Sequence, residues 1–183
     1  MKRPAILVPL LALVVPLLGG SAQIPATRTQ VSTSAASPVA LPRIVADYGA
    51  AWSSGDPERV ADLYADDALF EEVVLGGGVT HNTDELRAYA GEVFAAFSGF
   101  ALTPTAGFVA GDRAAVEWVI SGSYTGRFSG LPPGMGQPVE FRGATILELA
   151  DGRIRRASEY WDAATLLSQV GVLAGTEPQT PSP

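Results

Sequence analysis

Cysteine is absent from this 183-residue chain, lysine occurs once, as Lys2, and histidine once, as His81. Each scarcity removes a class of chemistry. Without cysteine there is no thiolate nucleophile and no disulfide framework, and with one histidine no zinc site built on two His or Cys ligands can form. The one lysine stands beside the N-terminus, so a Schiff-base lysine within a folded domain is excluded too. A serine triad would have to use His81 as its base, and no Gly-x-Ser-x-Gly elbow accompanies it. Basic groups are outnumbered, twelve against nineteen acidic ones, for a net charge of −7. Nucleic acid is therefore not an expected partner, because its phosphates require a basic surface.

What is present begins with an export-type leader. Lys2 and Arg3 precede an apolar run from Ala5 to Leu18, and Gly19-Gly20-Ser21-Ala22 offers the small side chains that a signal peptidase accepts. The run is shorter than the roughly 20 residues of a spanning helix. We read residues 1–22 as a signal peptide, with the mature protein exported to the periplasm or the extracellular space and not associated with a membrane after cleavage; the alternative is an uncleaved N-terminal anchor. No cysteine follows the run, so a lipid anchor is excluded. Residues 23–38, rich in Thr, Ser, Ala, Gln and Pro, read as a flexible linker, and residues 175–183 as a disordered tail. One domain remains, residues 39–174.

Within it, Val39, Leu41, Ile44, Val45, Tyr48 and Trp52 recur at helical spacing up to Ser53-Ser54-Gly55. Asp56-Pro57 opens a second helix, whose inner face is Val60, Leu63 and Tyr64. Ala68 to Leu75 reads as a strand and Gly76-Gly77-Gly78 as a loop. Asn82-Thr83-Asp84-Glu85 is a capping box that starts a third helix through Leu86, Tyr89, Val93, Phe94 and Phe97. Four strands follow at about 100–109, 113–124, 138–149 and 153–161, separated by Gly111-Asp112, a loop over 126–137 and the hairpin signal Asp151-Gly152. A last helix, capped by Asp162, carries Ala163, Leu166, Leu167 and Val170. Early helices and late consecutive strands predict an α+β fold: a strongly curved, mainly antiparallel sheet wrapped as a cone around about three N-terminal helices, with a short C-terminal helix. The open side of such a cone admits a ligand.

Three patterns in this order resemble the NTF2-like superfamily, and within it the SnoaL-like polyketide cyclase group, over about Val39 to Gly171. They are the opening segment from Trp52 to Phe70, Gly122-Ser-Tyr-Thr-Gly126 with Phe128-x-Gly130, and Gly152-Arg-Ile154 with Trp161-Asp162 and Gln169-Val-Gly171. The resemblance implies the cone and, by analogy with its members, a homodimer paired through the outer face of the sheet near Glu117 and Val119. It does not imply one activity, because the fold hosts cyclases, isomerases, dehydratases, epoxide hydrolases and plain binding domains. The last strand is also similar to that of the epoxide hydrolases, which place a catalytic aspartate where Glu159 stands. Their partner Arg-x-Asp falls on Trp118 and Ile120 here, and neither can do that work.

Strand alternation puts Glu159 on one face with Ala157 and Trp161. A carboxyl beside an indole is desolvated and its pKa rises, as a general acid or base near neutrality requires. The alternative is a simple ion pair with Arg155 on the same face. Glu72, on the face of Phe70 and Val74, is a second acid for the same pocket, and His81 a third titratable candidate. Phe70, Trp118 and Trp161 are expected to form the wall. Tyr124 stands where acyl-chain cyclases of the resembled group often carry a histidine, and is expected to donate its hydroxyl to a substrate oxygen. Asp162 has a sufficient task as a helix cap, and the loop Leu131 to Gly136 is either a lid or an ordinary connection. The reading is an exported protein with a pocket for a hydrophobic small molecule, acting as a cyclase or isomerase by acid/base chemistry with neither cofactor nor metal. The alternative is a binding or interaction domain that keeps the fold without catalysis.

Overall fold

The computed structural model describes residues 40–74, 78–128 and 130–173. The expected leader, the linker, the tail from 175 and part of the Gly76 to Gly78 loop lie outside the described residues.

The first helix, α1 (Arg43–Trp52), buries Val45, Tyr48, Ala51 and Trp52 on the stripe that the spacing predicts. Ser53 then ties its end to the sheet: its hydroxyl donates to the Leu102 carbonyl at 3.0 Å and accepts from the Leu102 N–H at 2.9 Å. Asp56 caps α2 (Pro57–Ala61) by accepting from the Glu58 N–H at 3.0 Å. This helix is shorter than expected. Leu63 and Tyr64 are not on it; the chain turns at Asp62, and Tyr64 already opens β1 (Tyr64–Glu72), aligned with Ile154. The strand therefore starts four residues before the expected Ala68; its true start was hidden in the sequence by Asp66 and Asp67, which occupy an irregular stretch between two paired segments.

A two-residue strand, β2 (Val79–Thr80), pairs antiparallel with β1 and had no sequence signal. Asn82 caps α3 (Thr83–Ala96) by accepting from the Glu85 N–H at 2.9 Å. The return bond of the capping box goes one residue further back, from the His81 N–H to the Glu85 carboxylate at 2.8 Å. Phe97 ends the helix and begins β3 (Phe97–Ala110), three residues before the expected start. The long strands β4 (Arg113–Tyr124), β5 (Gln137–Ala150) and β6 (Arg153–Trp161) follow, and Asp162 caps α4 (Ala163–Gln169) by accepting from the Thr165 N–H at 3.0 Å. At the β5–β6 hairpin both Asp151 (φ 51°) and Gly152 (φ 79°) are left-handed, the pairing a tight primed turn requires.

The six strands run in the order β2-β1-β6-β5-β4-β3. All neighbours are antiparallel except β1 and β6, which are parallel, so the sheet is mixed and remains open. Helix α1 packs on β3 and β4, and α3 on β1 and β3, so both cover the concave face. Proline is tolerated at Pro104 because β3 is an edge strand, with a register break beside it. None of the helices among the described residues is long and apolar enough to cross a membrane.

Candidate functional site

The register sets a polar row across the middle of an otherwise apolar face. Thr145 of β5 lies opposite Glu159 of β6, and Glu159 lies opposite Glu72 of β1. Residues aligned across neighbouring strands project from the same face, so the three side chains stand side by side. Thr145 is fully buried, and Glu72 and Glu159 are 7% and 8% exposed.

A bulge decides which face Glu159 takes. Between the pairs Leu149–Ile154 and Glu148–Arg156 the strand β6 carries one extra residue, Arg155. Simple alternation would put Arg155 on the face of Glu159, where it could neutralise it. The bulge turns it outward instead, to the Glu148 carboxylate at 2.8 Å. The expected alternative of an Arg155–Glu159 pair is thereby overturned. Arg156 bonds Glu71 at 2.7 Å and Arg153 bonds Asp66 at 3.3 Å, both on the outside.

Among the described residues, the groups near Glu159 are therefore neutral or acidic. Its Oε1 accepts from the Tyr48 hydroxyl at 3.4 Å and from the Thr145 hydroxyl at 3.5 Å. Burial, reinforced by the charge of Glu72, pushes its pKa up to about 8, against the opposing pull of these two bonds. Glu72 is raised as well, by burial, while the Tyr89 phenol, which donates to its Oε2 at 2.9 Å, and the Trp161 indole hold it back. A carboxyl that keeps its proton near neutrality donates it readily and takes it back readily, the requirement for general acid and base work.

Around the pair lie the rings of Trp52, Tyr89, Phe97, Phe100, Trp118, Phe128, Phe141 and Trp161, with Val93, Leu102, Ile120 and Leu166. The space between them, counted out to the mouth, is about 450 Å³; the part that takes the centre of a water molecule is about 40 Å³. That inner part holds a slim group or a few waters, and a bulkier ligand would have to part the rings. No three His, Cys, Asp or Glu side chains among the described residues come together as a metal would require.

The structure brings together four of the residues named from sequence: Glu159, Glu72, Trp118 and Trp161 line one cavity. Three lie elsewhere. Phe70 is buried behind the cavity, packed on Trp52 and Tyr89 with ring centroids 5.9 and 5.2 Å away. Tyr124 is buried and spoken for: its hydroxyl donates to the Pro132 carbonyl at 2.7 Å and accepts from the Phe128 N–H at 3.3 Å, which pins the 126–136 loop and leaves it no substrate oxygen to meet. His81 is exposed before α3, its ring 3.4 Å from Glu85. It follows the end of β2, at the sheet edge, and does not reach the carboxyl pair.

Sequence reasoning missed Tyr48, Tyr89 and Thr145. All three occupy positions where periodicity alone asks for an apolar residue. The available signal was the hydroxyl itself, since a buried phenol or threonine needs a partner and in this face the partners are carboxyls.

An open, curved mixed sheet covered by N-terminal helices is the fold of ketosteroid isomerase-like, or NTF2-like, proteins. The chain belongs to the SnoaL-like polyketide cyclase family, whose model matches residues 43–170. Among solved structures, IdmH of Streptomyces antibioticus, a candidate polyketide cyclase, is 27% identical over 70% of this chain and 96% of that one, with a TM-score of 0.59. A protein of ketosteroid isomerase-like fold from Catenulispora acidiphila, solved in complex with trimethylamine, is 24% identical over 76% of this chain and all of that one, at a TM-score of 0.63. A candidate polyketide cyclase of Pseudomonas putida, 22% identical over 70% and 96% of the two chains, reaches 0.64. These last two bear on the fold alone. No curated protein matches the sequence.

Proposed function

We propose that this protein is a cofactor-free acid/base enzyme, a cyclase or isomerase acting on a hydrophobic small molecule that carries a carbonyl group. The observation that carries this reading is the register pair Glu72–Glu159, two buried carboxyls side by side with each other's charge in place of a basic partner. Family membership supports small-molecule chemistry of this kind. In the reaction, ionised Glu72 takes a proton from the carbon next to the carbonyl, and Glu159, which keeps its proton up to about pH 8, acts as the general acid at the developing enolate oxygen. Reprotonation at another carbon isomerises the substrate, and attack of the enolate carbon on a second electrophilic carbon closes a ring. Neither route needs a redox partner. The aromatic walls hold the apolar body and keep bulk water from the enolate.

Export through the leader also belongs to this proposal, as does a homodimer; secretion of a tagged full-length chain with cleavage after Ala22, and a sedimentation measurement on the mature protein, test the two. An exported enzyme would meet its substrate outside the cytoplasm.

The central test has two stages. Thermal shift against a panel of hydrophobic carbonyl compounds identifies ligands, and turnover of those ligands is followed for the wild type and for Glu159→Gln. The variant is expected to lose about 10²- to 10⁴-fold in turnover, the usual worth of a general acid or base, with its ligand-induced thermal shift kept. Turnover unchanged in Glu159→Gln rejects the mechanism. Ligand binding with no turnover in the wild type selects the non-catalytic binding domain instead.

A further inference from the structure

The two oxygens of Glu159 are not equivalent. Tyr48 from α1 and Thr145 from β5 both approach Oε1, and among the described residues no side-chain donor reaches Oε2. Thr145 is itself constrained. The Trp118 indole N–H donates to its Oγ1 at 2.9 Å, so the threonine's one hydrogen is directed away from the indole, toward the Tyr48 hydroxyl at 3.3 Å or toward Glu159. An ionised carboxylate is the stronger acceptor of the two.

The indole is seated by the sequence opposite it. Trp118 lies across from Gly143, and a Cβ at that glycine would collide with the six-membered ring and with the Tyr160 carbonyl. Gly143 therefore lets the tryptophan lie flat over β5, where its N–H meets a residue two places along the strand. The order of donation is Trp118 to Thr145 to Glu159.

We propose that Thr145 is a positioning residue for the reaction assigned to Glu159: oriented by Trp118, it fixes Oε1 and so turns Oε2 to the ligand. This rests on the reading of Glu159 as the proton-moving group. The other titratable groups facing that carboxyl are Tyr48 from α1, Tyr64 and Glu72 from β1, and Tyr89 from α3. The three phenols are all raised by burial and stay protonated, which leaves Glu72 as the neighbouring acid whose charge acts on Glu159.

The test follows the Glu159 carboxyl carbon by NMR in protein labelled at glutamate, its signal assigned by its loss in Glu159→Gln. Thr145→Val keeps the shape and removes the hydroxyl, and is expected to raise the titration midpoint by about one pH unit, the worth of one hydrogen bond to a charged group. Thr145→Ser restores the donor and should return the midpoint to that of the wild type. Thr145→Ala, which cannot clash, carries the same expectation should the valine variant fail to fold. A midpoint that stays put or falls in either folded variant overturns the proposal. The titration needs no substrate, so it stands or falls apart from the enzymatic reading; with a substrate in hand, the same upward shift should appear in the pH dependence of kcat.

Discussion

Glu71 and Glu72 are neighbours in the chain and opposites in circumstance. Each lies across from a residue of β6, Glu71 from Ser158 and Glu72 from Glu159. Glu71 points outward, where Arg156 reaches it at 2.7 Å and the Ser158 hydroxyl at 3.2 Å, in contact with water. Glu72 points inward, next to a second buried acid, with only a phenol and an indole for company. One step along a strand changes the face, and with it the whole electrostatic setting. The outer row resembles any solvated ion pair. In the inner row a charge is expensive, because burial removes water and the register supplies a like charge where a cation would be expected. On the function proposed above, the inner row is the one that carries the chemistry, at a cost in stability that the outer row does not bear.

The strongest way to break the comparison is to remove the inner charge. Glu159 binds its proton more tightly in the folded chain, about pH 8, than an unfolded glutamate does near its ordinary value of 4.5. Between those two values the folded state holds a proton that the unfolded state has released, so stability must fall as pH rises from about 4.5 and level off above 8. Glu159→Gln cannot ionise. It should leave stability near pH 4.5 little changed and raise it at pH 8.5 by on the order of 4 kcal/mol, flattening the pH dependence. Urea unfolding of both proteins across pH 4.5 to 9 checks this. A wild-type stability that does not decline over that range would show that the carboxyl is solvated in solution.

A smaller effect is expected from the support of the row. Gly143→Ala places a methyl group against the Trp118 ring, which must leave its seat and withdraw its N–H from Thr145. Overpacking of this kind costs about 1–3 kcal/mol. The Glu159 midpoint should rise with it, because Thr145 loses its orientation. Equal unfolding midpoints for the two proteins would mean that the strand can shift to admit the methyl.

How much of this was legible in advance depended on whether a feature is local. The Asp151-Gly152 turn, the caps at Asp56, Asn82 and Asp162 and the limits of β4 and β6 follow from neighbouring residues, and the sequence displays them. Glu159 and Glu72 were also visible singly, as acids in apolar strands. Their adjacency was not, because it depends on a parallel register between strands some eighty residues apart. The outward turn of Arg155 was hidden for a related reason: a bulge exists only relative to a partner strand, and strict alternation put the arginine on the wrong face. Tyr124 and His81 show the converse. Each was read from its residue type and motif position, yet a hydroxyl's partner and a ring's distance from the pocket are settled by tertiary packing, here the Pro132 carbonyl and the Glu85 cap.

The outer row supplies the control that gives the inner one its meaning. Glu71→Gln removes a carboxylate of the same strand, one residue from Glu72, and takes an Arg156 bond with it. Both partners are substantially solvated, so the pair is screened and the loss should be only about 0.5 kcal/mol, within the range for surface ion pairs. Because Arg156 serves the outside, its release should leave the midpoint of Glu159 where it was. Urea titration and the same carboxyl NMR signal read both quantities. A midpoint that moved with Glu71→Gln would mean that the two faces of the sheet share one electrostatic environment, and the contrast between neighbouring glutamates would lose its physical basis.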